Sequence, residues 1–252
     1  MSISNGTFGK VIKAKNNKTN EDRAIKLINK DNGFGIKQFQ NEVNLMKKVE
    51  NNNSIKIFEL YNSNEDFAIV MELCDCNLEE KLNETSNGFR VDEIKRILKQ
   101  LNNTFRIMVN NKIIHRDIKL KNILVKNGQN NNYTVKLCDF GIGKQLSTLS
   151  KQTGTNIGTI ETMAPEIIEE KPYDNKCDLW SLGVIIYRLC FKKYPYNGAN
   201  TYTVMMKINQ YKQNHFEKTD DQHLNDLIRK LLKPNPDERL TWDQYFNHPF
   251  FK

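Results

Sequence analysis

The stretch "CDLWSLGVIIYRLCF", residues 177–191, is apolar nearly all the way round when read at helical period. A helix without a polar face cannot lie on a surface, so this one must be the covered centre of a packed unit. Suitable covering helices are present. In "VDEIKRILKQLNNTFRIM" the residues Ile94, Ile97, Leu98, Leu101, Phe105 and Met108 form one apolar stripe, and "HLNDLIRKLL" carries another. Pro234 and Pro236 then interrupt the helical pattern before a last short helix near "TWDQYF". The second part of the chain is therefore expected to be mainly helical.

The first part has a different period. "GKVIKAK" and "RAIKLI" read as two short strands separated by the polar turn "NNKTNED", and "SIKIFELYN" and "DFAIVMELC" as two more. Between these pairs, "IKQFQNEVNLMKKV" places Ile36, Phe39, Val43, Met46 and Val49 at helical spacing. With 252 residues the chain can build a substantial core. The expectation is an α+β, bilobal fold: a small β-rich lobe with one helix over about 1–72, a junction at about 72–77, and a larger α-helical lobe over about 78–252. No internal repeat is visible. The Asn tracts "ENNNS" and "QNNNY" read as polar loop padding. At the start, "SISNGTFGKV" fits either an Asn-Gly hairpin turn or a glycine-rich phosphate loop.

The formal net charge of +8 could suit a nucleic-acid or membrane partner. The Lys and Arg residues are scattered, however, without a run of five, which fits a solvated surface better. A nucleic-acid-binding module has only that net charge in its favour, and no motif. No apolar run reaches the ~18 residues of a membrane span. The five cysteines, Cys74, Cys76, Cys138, Cys177 and Cys190, form no metal-binding or paired spacing. Such a set suits reduced thiols, and together with a start that lacks a secretory signal it leads us to expect a cytoplasmic or nuclear chain.

The densest chemistry lies in "IIHRDIKLKNILV", which brings His115, Arg116, Asp117, Lys119 and Asn122 into eight residues between a helix and a strand. "LCDFGIG", with Asp139, follows a polar turn. Either tripeptide alone is weak, but the full H-R-D-x-K-x-x-N spacing followed by D-F-G is far more specific. In order along the chain stand Lys26 in "AIK", Glu42 on the next helix, "MAPE" at 163–166, "DLWSLG", and Arg239 in "PDERLT". On these motifs the chain resembles the eukaryotic protein kinase family, serine/threonine type, from Ser4 to its end.

The resemblance implies ATP and Mg²⁺ as cofactors and a protein Ser/Thr hydroxyl as acceptor. Phosphoryl transfer depends on alignment and charge neutralisation more than on covalent help. Asp117 would orient or accept the acceptor's proton, and Lys119 would counter the charge on the moving phosphoryl group. Lys26 would hold the α and β phosphates, fixed in turn by Glu42. Asn122 and Asp139 are hard oxygen donors suited to Mg²⁺. The nucleotide would lie among Ile3, Ser4, Asn5, Gly6, Thr7, Phe8, Gly9, Val11, Ala24, Met71, Glu72, Cys74, Asn77 and Leu124, with Met71 as gatekeeper and Asn77 toward the ribose. By the same resemblance His115 is structural, stacked with Met46 and Phe140 above Asp178. Glu166 and Arg239 would form a buried ion pair.

Lys119 and Thr159 match the serine/threonine pattern. Lys121 stands where members that select basic substrates commonly carry Glu, which favours acidic residues near the target. Arg116 suggests an activation segment ordered by phosphorylation at Ser147, Thr148, Ser150, Thr153 or Thr155, by an upstream kinase or in trans, in an otherwise monomeric protein with no nucleic-acid or membrane partner. Several positions depart from the family pattern. Ser4 replaces the first glycine of the loop, Leu120 the usual Pro, and Ile160 and Thr162 the usual Pro and Tyr. The resemblance also expects several residues before Ile3, so the first strand reads as truncated. A pseudokinase, a nucleotide-binding scaffold without transfer, is the alternative; all of Lys26, Asp117, Asn122 and Asp139 being present speaks for the enzyme.

Overall fold

In the computed structural model, residues 2–6, 9–30, 36–129, 132–141, 143–145, 159–210 and 216–252 are described. The N-terminal lobe contains strands β1 (Ser2–Gly6), β2 (Gly9–Lys15) and β3 (Asp22–Asn29), helix α1 (Ile36–Lys48), and strands β4 (Ile57–Asn62) and β5 (Asp66–Glu72). The strands form one antiparallel sheet in the order β1-β2-β3-β5-β4. Alternation in β3 buries Ala24, Lys26 and Ile28 on one face. Phe39, Val43 and Met46 of α1 are buried in the same lobe, and Phe39 stacks on Phe67 of β5 with ring centres 4.5 Å apart. Ile36 departs from the expected stripe. As the first residue of α1 it lies a turn short of the packed surface and is 50% exposed.

β1 and β2 pair antiparallel with Gly6 opposite Gly9, so the hairpin expectation holds and the Asn5-Gly6 step belongs to strand β1. Thr7 and Phe8 lie outside the described residues.

The C-terminal lobe follows with β6 (Cys76–Asn77), α2 (Leu78–Asn83), α3 (Val91–Asn110), β7 (Ile113–Ile114), β8 (Ile123–Asn127), β9 (Tyr133–Leu137), β10 (Lys144–Gln145), α4 (Pro165–Ile168), α5 (Lys176–Phe191), α6 (Thr201–Gln210), α7 (Gln222–Leu231) and α8 (Trp242–Phe246). Helix α5 is the buried centre that its sequence demands, covered from Cys177 through Tyr187. A Cβ added at Gly183 would come within 2.8 Å of Leu231 Cβ, so glycine is what lets α7 lie directly against α5. Trp180 stacks on Tyr196, and Ser181 donates to the Thr162 carbonyl at 2.7 Å. Among the described residues no helix is long and apolar enough to cross a membrane.

The expectation of loop padding is overturned at "ENNNS". Asn53 is buried; its amide nitrogen donates to the Val135 carbonyl at 3.0 Å and its side-chain oxygen accepts from Asn103 at 2.8 Å. Its backbone carbonyl accepts from Leu137 N and from Thr104 Oγ1, both at 2.9 Å, while Asn51 reaches Thr104 at 3.1 Å. A buried Asn is tolerated when its donors and acceptor are all met. Here that satisfaction ties the segment after α1 to α3 and β9, and so joins the lobes behind the site.

Candidate active site

Strand β3, helix α1 and the loop that follows β9 converge on an ion-paired triad. Lys26 on β3 donates to Glu42 Oε1 of α1 at 2.7 Å and to Asp139 Oδ1 at 2.9 Å. Burial alone would lower the pKa of the Lys26 ammonium, but the Asp139 and Glu42 carboxylates outweigh it and hold Lys26 charged above the usual lysine range. Burial would likewise raise Asp139; Lys26 reverses that and leaves it below the ordinary carboxylate range. Glu42 moves upward in spite of its ion pair. It is the most deeply buried of the three, and Asp139 competes for the same ammonium. Glu42 Oε2 is buried without a hydrogen-bond partner.

Asp117 is the centre of a second cluster. Its Oδ2 accepts from Lys119 Nζ at 2.7 Å and from Asn122 Nδ2 at 3.0 Å, and its Oδ1 accepts from Thr159 Oγ1 at 3.3 Å. Asn122 also donates to the Asp117 carbonyl at 2.9 Å, closing the 3₁₀ turn Leu120–Asn122 onto the loop. The carboxylate is thus aimed from several sides before any substrate arrives.

The loop that carries Asp117 is held in an unusual backbone conformation. Arg116 and Asp139 both have positive φ, 66° and 67°, a conformation costing about 1–2 kcal/mol for a side chain with a Cβ. At Arg116 the cost is met from below. Asp178 on α5 accepts from the amides of His115 at 2.8 Å and Arg116 at 2.9 Å. Burial pushes the Asp178 carboxyl upward, and the two amides pull against that. Arg116 also donates to the Tyr173 hydroxyl at 3.1 Å, a contact across 57 residues that no local spacing signals.

His115 is fully occupied. Its Nδ1 accepts from the Asp117 amide at 3.3 Å, which leaves Nε2 to carry the proton and donate to the Cys138 carbonyl at 3.0 Å. Its ring lies 4.6 Å from that of Phe140. With both nitrogens engaged, it positions the catalytic loop and the D-F-G segment together and has no free base site.

The remaining residues with expected roles are distributed around this centre. Ile3, Ser4, Asn5, Gly6 and Gly9 form the β1–β2 hairpin, while Val11 and Ala24 lie on β2 and β3 and Met71 on β5. Leu124 on β8 pairs in register with Asn77. Asn77 is the N-cap of α2: its side-chain oxygen accepts from Glu79 N and Glu80 N, both at 3.0 Å, so only its amide nitrogen remains for a ribose. The side chain of Glu72 is equally engaged, accepting from Lys136 and from the Lys56 amide at 2.9 Å each. Burial pushes the Cys74 thiol up to about 12 and Cys138 well above its usual value, which keeps both protonated. Far from the site, Arg239 donates to both Glu166 oxygens at 2.8 and 3.0 Å. Ser147, Thr148, Ser150, Thr153 and Thr155 lie outside the described residues.

Comparison with known proteins agrees with this geometry. The protein kinase domain family matches residues 1–251. Over 252 residues the chain is 32% identical to the serine/threonine-protein kinase TIO of Arabidopsis thaliana, covering 99% of this chain and 19% of that protein. It is 34% identical over 256 residues to the serine/threonine-protein kinase Nek5 of Homo sapiens, 99% and 36% of the two chains. It is 32% identical over 255 residues to calcium-dependent protein kinase 5 of Plasmodium falciparum, 99% and 44% of the two chains. The chain thus spans less than half the length of these relatives. The match along almost the whole sequence, on a bilobal fold with this pair of charged clusters, means that the chain belongs to the protein kinase domain family.

Proposed function

We propose that the chain is a serine/threonine protein kinase that moves the terminal phosphoryl group of Mg-ATP to a protein hydroxyl. The observation that carries this reading is the side-by-side assembly of the Lys26–Glu42–Asp139 triad and the Asp117–Lys119–Asn122 cluster, linked through His115. The names of the relatives support the Ser/Thr acceptor.

The residues present suit such a cofactor. Among the described residues no group of three or more His, Cys, Asp or Glu side chains could hold a metal ion alone. Asp139 and Asn122 offer two hard oxygen donors, the partial set expected where phosphate oxygens and water complete the shell of Mg²⁺. When bound, Mg-ATP supplies the phosphoryl group and the cation that offsets its charge. Lys26, kept charged by its two carboxylates, would hold phosphate oxygens while Glu42 fixes its direction. Asp117, oriented by Asn122, Lys119 and Thr159, would take the acceptor hydroxyl as a hydrogen-bond donor and receive its proton. Lys119, 2.7 Å from Asp117, would stand between base and phosphate and counter negative charge there.

A phosphotransfer assay with labelled ATP, comparing the wild type with Asp117→Asn and Lys26→Met, tests this. The wild type should label protein serine or threonine, with both variants reduced at least about a hundredfold. Equal labelling by all three, or none by any after pretreatment with an activating kinase, would favour the scaffold reading.

A further inference from the structure

Arg116 is gripped at both ends by one short piece of chain. Its backbone amide donates to Asp178 Oδ1 at 2.9 Å, in the first turn of α5. Its guanidinium Nη1 donates to the hydroxyl of Tyr173, five residues before Asp178, at 3.1 Å. Tyr173 is itself firmly placed and only 7% exposed. On one side of it the Lys171 amide donates to the Glu166 carbonyl at 2.8 Å, and Glu166 is held in turn by Arg239. On the other side Asp174 accepts from the Lys176 amide at 2.8 Å, where α5 begins. The phenol is thus anchored from both directions, and it fixes the guanidinium where it stands.

This grip bears on Asp117, the next residue. Arg116 stands at φ 66°, a conformation that a residue with a Cβ keeps only where its surroundings enforce it. A rotation there would swing the Asp117 carboxylate, and a misplacement of about 1 Å at a reacting group can cost about a hundredfold in rate. Asp178 holds the backbone of Arg116 and Tyr173 holds the far end of its side chain, so neither end turns without breaking a hydrogen bond. The Tyr173 contact is charge-assisted, because a guanidinium does not deprotonate.

On the family resemblance, Arg116 would pair with a phosphorylated activation segment. The Tyr173 hydroxyl is a partner of another kind, neutral and part of the lobe whether or not the segment carries phosphate. A guanidinium has five N–H donors, so hydroxyl and anion are not mutually exclusive partners. We infer that Tyr173 is a positioning residue for phosphoryl transfer, which acts through Arg116 to hold the Asp117 loop in its working conformation independently of activation-segment phosphorylation. This rests on the kinase reading above.

The test is Tyr173→Phe, which removes the hydroxyl and keeps the ring. Wild type and variant are each treated with a phosphatase, assayed on a serine peptide for initial-rate kcat and KM, and assayed again after incubation with Mg-ATP. In the phosphatase-treated state the variant should lose about ten- to a hundredfold in kcat, with KM for ATP and peptide within about twofold of wild type. Tyr245→Phe deletes another buried hydroxyl, bonded to Asn102 at 2.9 Å, and controls for a purely structural effect; it should lower Tm and leave kcat unchanged. A smaller loss after incubation with Mg-ATP supports the inference and shows that a segment phosphate shares the guanidinium. An equal loss supports it and shows that phosphorylation acts elsewhere. An unchanged kcat in phosphatase-treated Tyr173→Phe, a loss matched by Tyr245→Phe, or a wild type that is inactive until phosphorylated overturns it. Hydrogen exchange at the His115 and Arg116 amides needs no turnover and should be at least about threefold faster in Tyr173→Phe; equal exchange also overturns the inference. If no form transfers phosphate but that exchange still depends on Tyr173, the kinase reading has failed and the grip on Arg116 stands.

Discussion

Replacing Lys26 with Met isolates the electrostatics of the triad, because the substitution keeps most of the side-chain volume and removes only the ammonium. The wild-type ammonium makes two charge-assisted hydrogen bonds, 2.7 Å to Glu42 and 2.9 Å to Asp139, with Lys26 and Glu42 only 11% and 1% exposed. Removing one partner of a buried ion pair costs about 3–5 kcal/mol, since the other charge is left uncompensated. Asp139, with a third of its side chain exposed, recovers part of its solvation, so about 4 kcal/mol at pH 7 is expected. For a chain of this size that lowers Tm by roughly 8–16 °C. The pH dependence makes the argument specific. In the wild type, Asp139 is lowered by Lys26, and the stability it contributes is lost as pH falls through its folded value. Glu42 is raised by burial, and its contribution is lost as pH rises through its folded value. Lys26 is raised as well, so its contribution persists throughout the neutral range. In Lys26→Met both carboxylates lose the ammonium they hydrogen-bond, and both resist ionisation more than in the wild type. The deficit relative to wild type should be full near pH 7 and shrink as pH falls toward about 4.5, where the carboxyls take up protons. Urea unfolding at pH 4.5, 6 and 7.5 measures this. A deficit below about 1 kcal/mol at pH 7.5, or one that is constant with pH, would refute the view that Lys26 neutralises two buried carboxylates.

Three further outcomes follow from other contacts. Arg239→Met strands the buried Glu166 carboxylate and the carbonyls of Lys176, Lys233 and Pro234 that the guanidinium serves. It should cost about 3–5 kcal/mol in urea unfolding, and adding Glu166→Leu should recover much of that; an equal loss in the double variant would show that the paired charges are not what matters. Asn53→Ala leaves Val135 O and the Asn103 amide without their partner and should cost about 1–3 kcal/mol, with faster hydrogen exchange at the amides of Ile55 and Leu137; unchanged exchange there would show the tie to be dispensable. Cys74, its thiol pushed up to about 12, should react with iodoacetamide at pH 7.5 at least a hundredfold more slowly than a free thiol, as read by mass spectrometry of the native protein, and rapid labelling would contradict the burial argument.

Local patterns carried much of this protein. The all-apolar period of α5 dictated a helix covered on every side, and the change from strand to helix period near residue 73 marked two lobes. The spacing of Asp117, Lys119 and Asn122 could be read directly, because a turn spanning so few residues brings their side chains together by itself. Contacts between residues distant in sequence were less accessible. "ENNNS" has the composition of a solvated loop, and only docking against α3 and β9 shows that Asn53 is buried and bonded throughout. Ile36 has a core residue's chemistry and is exposed because α1 starts there. Tyr173 reaches Arg116, and Arg188 reaches Glu79, across distances in the chain that leave no periodic trace.

The sequence by itself determined which residues could perform the chemistry, because residue type and short-range spacing set acidity, charge and reach. Only the tertiary structure decided which of those charges are cancelled. Lys26 and Lys121 have the same side-chain chemistry, and the sequence places them in different motifs without showing how far either charge is cancelled. Packing buries the first between two carboxylates and leaves the second exposed beside a carboxylate already matched by Arg188. Burial and the identity of a distant partner set the effective strength of a charge, and both come into being only when the chain folds.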